Sequence, residues 1–193
     1  MRTVARAALP LLASLLSACN AEPPPPPVPE ASAGDRISYS AAHSPVLTLP
    51  DGRRETVRSL LNVRRPLRYG DYAWNDRGVP DGPAWVRVDL GRQTLSLFRA
   101  GHEIGTALIL YGTDGKPTPH GVFPILERAR SHRSTLYDAE MPFMLRLTGD
   151  GVAVHASDVR YGRATHGCIG VPPAFARLMF DQVKRGDPVA ILA

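Results

Sequence analysis

Alternating apolar and polar positions predict several β-strands in the second half of the chain. Segment 86–90 alternates valine and leucine with arginine and aspartate, and segment 94–98 resumes the alternation after a turn at Gly91-Arg92. A period of two residues is typical of strands with one buried face. Further strands are predicted at 104–111, 122–126, 143–147, 152–155 and 189–192.

One good helix is predicted, over residues 173–184. Phe175, Leu178 and Met179 recur at helical spacing, a proline stands at the start, and Gly186 suits the exit from the helix. The predicted fold class is therefore mainly β, a β-sandwich or open barrel with one or two short helices.

Residues 46–83 have a mixed pattern that contains no functional motif. Val57, Leu60 and Leu61 are spaced like one face of a short helix, and the rest of the segment reads as loop. We expect 46–83 to be an N-terminal extension packed on a compact domain formed by residues 84–193.

Residues 1–18 have the composition of an export signal. Basic residues precede an apolar stretch over 7–16, and Leu16-Ser17-Ala18 stands immediately before Cys19. This tetrad resembles the lipobox of bacterial lipoproteins, which predicts a lipoprotein signal peptide over 1–18 and a membrane anchor on a lipidated Cys19. The apolar stretch is too short to span a bilayer, which takes about 20 residues. The alternatives are an ordinary cleaved signal or a short anchor, with Cys19 incidental.

A proline-rich segment follows the predicted lipidation site. The consecutive prolines from Pro23 to Pro27 exclude a helix or a central strand and favour polyproline II. Residues 30–45 are polar and small, so 19–45 as a whole is predicted to be a disordered linker. The competing interpretation, a ligand for an SH3-type domain, is disfavoured outside the cytosol.

The charge of the chain does not point to nucleic acid. The formal net charge is +5, and it falls by two without Arg2 and Arg6 of the predicted signal. The remaining excess is small and dispersed, whereas nucleic-acid binding calls for a basic patch or stripe. All basic residues except Lys116 and Lys184 are arginine, a bias that codon usage explains as well as carboxylate binding does.

Cys168 is the strongest candidate for chemistry. The chain has two cysteines, and with Cys19 assigned to lipidation Cys168 has no partner for an intrachain disulfide. It stands in the tripeptide His166-Gly167-Cys168, and His155 closes an apolar strand upstream. A thiol activated by a neighbouring imidazole is suited to nucleophilic acyl transfer. The same two histidines and cysteine are also good zinc ligands, although a fourth ligand is not identified.

Several motifs, in the same order along the chain, resemble the catalytic domain of the L,D-transpeptidases (YkuD-type). Gly151 to His155, followed by Ala164 to Ile169, is similar to the region around that family's catalytic cysteine. Upstream, Thr118-Pro119-His120-Gly121-Val122-Phe123 is similar to the TPxGxF segment, and Met141-Pro142-Phe143 also matches. The resemblance covers about residues 84–192.

The resemblance implies a cysteine-dependent enzyme that needs neither a cofactor nor a metal. Cys168 would attack the carbonyl carbon of the third residue, usually diaminopimelate, of a peptidoglycan tetrapeptide stem, and D-Ala would leave. An amine of a second stem would resolve the thioacyl-enzyme into a 3→3 cross-link. His155 would be the proton donor and acceptor, and His166 would be an auxiliary residue or a purely structural imidazole. A carbapenem is the expected covalent inhibitor.

Other positions are assigned to the substrate groove by the same resemblance. Gly167 and Thr165 belong to the turn, where the N–H groups of Gly167 and Cys168 are candidate oxyanion-hole donors. Tyr111, Thr118 and Gly121 are expected to border the groove, with a packing or turn role as the alternative.

One position departs from the family pattern. Many relatives carry arginine or asparagine after the Cys-Ile or Cys-Val pair, whereas here Ile169 is followed by Gly170. A guanidinium that would grip a stem carboxylate is therefore missing, and Arg146, Arg160 and Arg163 are candidate replacements.

Two other functions compete with transpeptidation. The same cysteine and histidine would serve an L,D-carboxypeptidase or hydrolase, and a chain with a residual site would be a non-catalytic wall-binding lipoprotein. In each case the expected location is the periplasm. Asn20, after the lipidated cysteine, is compatible with anchoring in the outer membrane of a Gram-negative bacterium, an envelope that the resemblance implies.

Overall fold

The computed structural model describes residues 30–31, 36–113, 115–134 and 137–193. The predicted signal peptide, the predicted lipidation at Cys19 and the proline-rich run lie outside the described residues. Within the described part of the chain, no helix combines the length and the apolar character that a membrane crossing requires.

The described residues form short strands and one α-helix, α1, at Pro173–Gln182. The strands in chain order are β1 (Glu30–Ala31), β2 (Arg36–Ser38), β3 (Val46–Thr48), β4 (Arg54–Thr56), β5 (Ser59–Leu61), β6 (Tyr72–Trp74), β7 (Ala84–Asp89), β8 (Thr94–Arg99), β9 (His102–Leu108), β10 (Gly121–Pro124), β11 (Glu127–Ala129), β12 (Met144–Arg146), β13 (Ala153–Ala156), β14 (Ile169–Val171) and β15 (Pro188–Leu192). A 3-10 turn at Ala41–His43 completes the set.

Two sheets carry the fold. The larger sheet has the strand order β1-β2-β5-β9-β8-β7-β15-β10, and β6 also pairs with β9. The smaller sheet has the order β11-β12-β13-β14, and β3 and β4 form a separate hairpin. Most pairs are antiparallel, but β13–β14, β15–β7 and β5–β9 are parallel.

The main core lies between the two sheets and α1. Strands β7 to β9 contribute inward-facing residues such as Val86, Leu95 and Ile104, all fully buried. The helix contacts β13 and β9 and buries its apolar stripe, including Phe175 and Met179. Alternate positions of these strands therefore enter the core together with the apolar face of the helix, as the hydrophobic pattern of the sequence predicts.

The predicted fold class is confirmed. The strands predicted from alternation correspond to β7, β8, β9, β10, β12, β13 and β15, and the predicted helix corresponds to α1. The observed ends differ by a few residues, as at β9, which begins two residues before Ile104 and ends at Leu108.

The prediction of a short helix lined by Val57, Leu60 and Leu61 was wrong, because Ser59–Leu61 form strand β5 instead. Ser59 and Leu61 are buried, and the backbone N–H of Leu61 donates a hydrogen bond to the buried carboxylate of Glu103 at 2.8 Å. Pairing with β2 and β9 outweighs the helical spacing of three apolar residues. Strands β1 and β2 also lie in the segment that was expected to be linker.

Candidate active site

Cys168 and His155 come from neighbouring parallel strands. The register pairs Val154 with Ile169 and His155 with Gly170, so Cys168, which directly precedes β14, lies beside the start of β13. Val154 points into the main core, whereas Ala153 packs on the other face with Cys168. His155, two residues beyond Ala153, therefore shares the face of the cysteine.

Both side chains line one cleft of about 810 Å³. Its walls include Tyr137, Asp150 and Arg163 from loops between strands of the smaller sheet, and Lys116 from the loop between β9 and β10. Cys168 is half-buried and is a free thiol among the described residues. The cleft therefore exposes the sulfur to a bound molecule.

The hydrogen bonds of His155 fix its tautomer. Its Nδ1 lies 2.8 Å from the carbonyl oxygen of Ala156, and because a carbonyl only accepts, Nδ1 must carry the proton. The Ser157 hydroxyl also lies 3.3 Å from Nδ1. Burial lowers the pKa of His155, with a smaller contribution from His132. The imidazole is thus held neutral, with the Nε2 lone pair free to take a proton.

The sulfur of Cys168 is held by the backbone of the loop before β13. The thiol donates to the carbonyl oxygen of Gly151 at 3.7 Å. Burial raises the pKa of Cys168, and a hydrogen bond from the backbone of Ala153 and the charge of Lys116 partly oppose this rise. Burial therefore favours the uncharged forms of the Cys168 thiol and the His155 imidazole over an ion pair.

Thr165 and Gly167 shape the turn that presents the cysteine. The Thr165 hydroxyl donates to the carbonyl oxygen of Cys168 at 2.5 Å, and the backbone N–H of Thr165 donates to the carbonyl oxygen of Tyr111 at 3.0 Å. Gly167 has a φ of +98°, in the region that residues with a Cβ adopt only with strain.

Thr118 fastens this turn to the loop after β9. Its hydroxyl accepts from the N–H of Gly112 at 2.9 Å and donates to the carbonyl oxygen of Gly167 at 3.0 Å. The side chain is only 2% exposed. Tyr111 packs against the main core, and Gly121 pairs with Ile191 in the larger sheet. None of these groove candidates lines the cleft.

His166 lies at the mouth of the cleft. Its ring stacks on Tyr137 with the centroids 4.5 Å apart and an interplanar angle of 13°. The Tyr137 hydroxyl accepts a hydrogen bond from Nζ of Lys116 at 2.8 Å. Neither Lys116 nor Tyr137 was singled out from the sequence, since each belongs to a loop without periodicity and only the fold brings them together.

The arginines proposed to replace the missing guanidinium have different environments. Arg146 lines the cleft but is paired with Glu127 at 2.7 Å. Arg160 is paired with Asp158 at 2.7 Å and does not line the cleft. Arg163 lines the cleft and makes no ion pair among the described residues.

A side chain at position 170, where the sequence departs from the family pattern, would clash with Ser157. Gly170 is buried in β14, and a Cβ at this position would lie 2.7 Å from Oγ and 2.8 Å from Cβ of Ser157. The space that a side chain at residue 170 would need is therefore occupied by Ser157, the residue that also approaches His155.

The zinc alternative finds no ligand set. Among the described residues, no three histidine, cysteine, aspartate or glutamate side chains are grouped so as to hold a metal ion. The ring of His166 is engaged with Tyr137 instead.

Comparison with known proteins assigns the family. The model of the YkuD family, described as the L,D-transpeptidase catalytic domain, matches residues 83–191. This match covers more than half of the chain, so the protein belongs to the L,D-transpeptidase catalytic domain family. No match was found among curated proteins.

Solved structures of L,D-transpeptidases share the fold. An L,D-transpeptidase from Stackebrandtia nassauensis is 22% identical with a TM-score of 0.54, over 59% of this chain and 57% of that one. The L,D-transpeptidase LdtMt1 in complex with imipenem is 25% identical with a TM-score of 0.52, over 56% and 58%. An L,D-transpeptidase from Mycobacterium smegmatis is 20% identical with a TM-score of 0.55, over 82% and 81%. The chain thus spans less than two thirds of the length of the first two.

Proposed function

We propose that the protein is a peptidoglycan L,D-transpeptidase in which Cys168 is the nucleophile and His155 the proton donor and acceptor. The observation that carries the proposal is the placement of both side chains on one face of β13–β14, in one cleft, with the Nδ1 proton of His155 committed to the Ala156 carbonyl. This arrangement leaves Nε2 as the base, which is the role that an acyl-transfer site requires.

The first half of the reaction forms a thioacyl-enzyme. As the sulfur of Cys168 attacks the carbonyl carbon of the third stem residue, its proton passes to Nε2 of His155. The carbonyl becomes an oxyanion, and we assign its stabilisation to the N–H groups of Gly167 and Cys168. The C–N bond to D-Ala then breaks, and the leaving amine takes the proton back from His155.

The second half transfers the acyl group to an amine. A side-chain amine of a second stem attacks the thioester carbonyl and gives a proton to His155. The C–S bond breaks, Cys168 recovers its proton, and a 3→3 cross-linked peptide leaves. Water in place of the amine would give the free acid, which is the carboxypeptidase reaction.

Mass spectrometry of the reaction mixture tests this function. The purified chain is incubated with a disaccharide-tetrapeptide, and we expect loss of D-Ala together with formation of a dimer. Cys168→Ala should abolish both products, whereas His43→Gln, an exposed histidine far along the chain from the site, should abolish neither. Turnover by Cys168→Ala would refute the nucleophile assignment, and D-Ala release without dimers would favour the hydrolase.

The cleft also supports acylation by a carbapenem, the class to which the imipenem bound by LdtMt1 belongs. The Cys168 sulfur would attack the lactam carbonyl, the ring C–N bond would open, and the ring nitrogen would take the thiol proton. A mass increase equal to one intact imipenem, absent in Cys168→Ala, is the expected result.

We further propose a lipid anchor on Cys19 that holds the enzyme in the periplasm, at the outer membrane. The support is the tetrad Leu16-Ser17-Ala18-Cys19 and the asparagine that follows it. Radiolabelled palmitate should label the protein in cells, and Cys19→Ser should lose the label. An unlabelled wild-type protein would refute the anchor.

A further inference from the structure

Most of the charges lining the cleft are neutralised within the protein. Glu127 and Arg146 pair with each other, Glu140 pairs with Arg133, and Asp158 pairs with Arg160. Among the described residues, three charged cleft side chains make no ion pair, and they are Lys116, Asp150 and Arg163. A cleft that keeps isolated charges near a reactive sulfur is suited to a charged ligand.

Lys116 is held over the turn that carries the cysteine. Its Cγ lies 3.7 Å from the point that a Cβ on Gly167 would occupy. Its Nζ donates to the Tyr137 hydroxyl, and the Tyr137 ring stacks on His166. An ammonium has three N–H donors and no acceptor. A phenol accepts one hydrogen bond without neutralising the charge, so Lys116 keeps its positive charge and further N–H donors at the wall of the cleft.

Asp150 approaches the cysteine from a different loop. It lies in the turn Gly149-Asp150-Gly151, and the carbonyl oxygen of Gly151 is the group that the Cys168 thiol contacts at 3.7 Å. The carboxylate accepts a hydrogen bond from the Thr148 hydroxyl and otherwise faces the cleft. A cation and an anion therefore flank the sulfur on separate loops.

The two charges act on each other and on the sulfur. The charge of Asp150 contributes to the raised pKa of Lys116, behind the larger effect of the Tyr137 hydrogen bond. Lys116 lowers the pKa of Cys168 while Asp150 raises it. These effects on the pKa values agree with the contacts described above, because both place Lys116, Asp150 and Cys168 close together in the cleft.

We propose that Lys116 and Asp150 form a subsite for a zwitterionic α-amino-acid head group on the peptide substrate. The carboxylate of the head group binds the Lys116 ammonium, and its ammonium binds the Asp150 carboxylate. This inference rests on the proposed function, since a side chain that ends in both charges is what diaminopimelate at the third stem position would present. It also supplies the carboxylate contact that Gly170 cannot make.

Four acyl donors that differ only in the third residue test the subsite. They carry diaminopimelate, diaminopimelate amidated at the side-chain carboxylate, diaminopimelate acetylated at the side-chain amine, and lysine. The readout is the ratio of their kcat/KM values for D-Ala release. Wild type should prefer the unmodified zwitterion by about tenfold, the effect of one charge-assisted contact at a partly exposed site. A ratio is insensitive to the amount of folded enzyme and to the general reactivity of Cys168.

Substitutions then test which side chain binds each charge of the head group. Lys116→Met should bring the ratio of acid to amide donor to about one, and Asp150→Asn should lower the preference for diaminopimelate over its side-chain N-acetylated form. Lys184→Met, the other lysine of the chain, is the matched control and should keep the wild-type ratio.

The outcomes separate this proposal from the function on which it rests. Equal turnover of all donors by wild type would overturn the subsite but not the transpeptidase, whereas no D-Ala release from any donor would overturn the transpeptidase. If Lys116→Met lowered kcat/KM by the same factor for the acid donor and the amide donor, the subsite would also be overturned. If the ratio of kcat/KM for acid and amide donors fell to about one in Arg163→Gln but not in Lys116→Met, the assignment of carboxylate binding to Lys116 would be overturned.

Discussion

At the scale of single residues, the state of Cys168 and His155 before substrate arrives is set by burial. Burial disfavours the charged form of each group, raising the pKa of the thiol and lowering that of the imidazole. Both effects favour the uncharged pair at neutral pH. In the proposed reaction, proton transfer to His155 would therefore accompany the attack of the sulfur, when a developing negative charge makes the imidazolium favourable.

This neutral pair predicts the pH dependence of simple alkylation. Because the thiol pKa is raised, the rate at which iodoacetamide modifies Cys168 should climb only at alkaline pH, above the range of an ordinary thiol. His155→Gln should leave this profile nearly unchanged, since no ion pair is lost. A plateau of high reactivity that extends into acidic pH, and that disappears in His155→Gln, would show a preformed ion pair instead.

Acyl transfer should respond to His155 much more strongly than alkylation does. Removal of a positioned acid–base group costs roughly 10²–10⁴-fold in rate, so His155→Gln should slow D-Ala release by about that factor. The His43→Gln variant controls for the loss of a histidine. A His155→Gln enzyme within a few-fold of wild type would exclude His155 as the base.

At the scale of elements, the site depends on contacts between β14, the loop after β9 and the segment that follows β13. Thr118 is the clearest case, because its one hydroxyl joins the N–H of Gly112 to the carbonyl of Gly167 in a buried position. Loss of the hydroxyl would leave two buried polar groups without partners.

Thr118→Val should therefore destabilise the fold by about 1–3 kcal/mol, the cost of unsatisfied buried groups. The isosteric side chain keeps the packing, so the loss reports the hydrogen bonds alone. Thr118→Ser keeps the hydroxyl and is the matched control. Denaturant unfolding of both variants checks the expectation, and equal stability of Thr118→Val and Thr118→Ser would contradict it.

Gly170 and Ser157 should behave as a coupled pair. A Cβ at residue 170 would lie 2.7 Å from the Ser157 hydroxyl, and such overpacking in a buried strand typically costs about 1–3 kcal/mol. Because Ser157 also approaches Nδ1 of His155, Gly170→Ala should slow imipenem acylation as well as lower stability. The double variant Gly170→Ala with Ser157→Gly should regain much of the stability. Additive losses in the double variant would contradict the coupling.

The elements that the sequence predicts well are those with long local patterns. The alternation over β7 and β8 and the apolar stripe of α1 are strong enough to fix element type. Strand β14 was missed because Ile169-Gly170-Val171 is a short apolar run with no period to read. The Lys116–Tyr137 contact was missed because two loops meet there only after the sheets have formed. Motif resemblance, by contrast, selected Cys168 and His155 without any knowledge of strand register.

At the scale of the whole molecule, residues 46–83 contribute two strands to the larger sheet. Strands β5 and β6 both pair with β9, and Trp74 of β6 packs edge-on against Phe175 of α1 with the centroids 5.8 Å apart. The loop before β6 reaches the segment between His155 and Cys168, where Tyr69 packs edge-on against Tyr161. The extension therefore supports both the helix behind the site and the loop beside it.

The join between the extension and the domain contains a buried acid. Glu103 of β9 is 6% exposed and accepts the backbone N–H of Leu61 of β5. Burial raises its pKa, and hydrogen bonds and the nearby Arg36 oppose the rise only in part. The folded protein thus binds the Glu103 proton more tightly than the unfolded chain does.

Stability should therefore fall as the pH rises from the ordinary glutamate range, about 4.3, through the raised pKa of Glu103, because unfolding releases a proton over that window. Glu103→Gln keeps an acceptor for the Leu61 N–H and removes the titration. The free energy of unfolding of each protein is measured with denaturant at pH 4 and at pH 7. The value for the variant minus the value for wild type should be larger at pH 7 than at pH 4. Asp81→Asn, at an exposed acid, should show a much smaller change. A Glu103→Gln variant that instead loses stability relative to wild type as the pH rises would mean that the carboxylate is held charged by Arg36, and that the junction is stabilised by that ion pair.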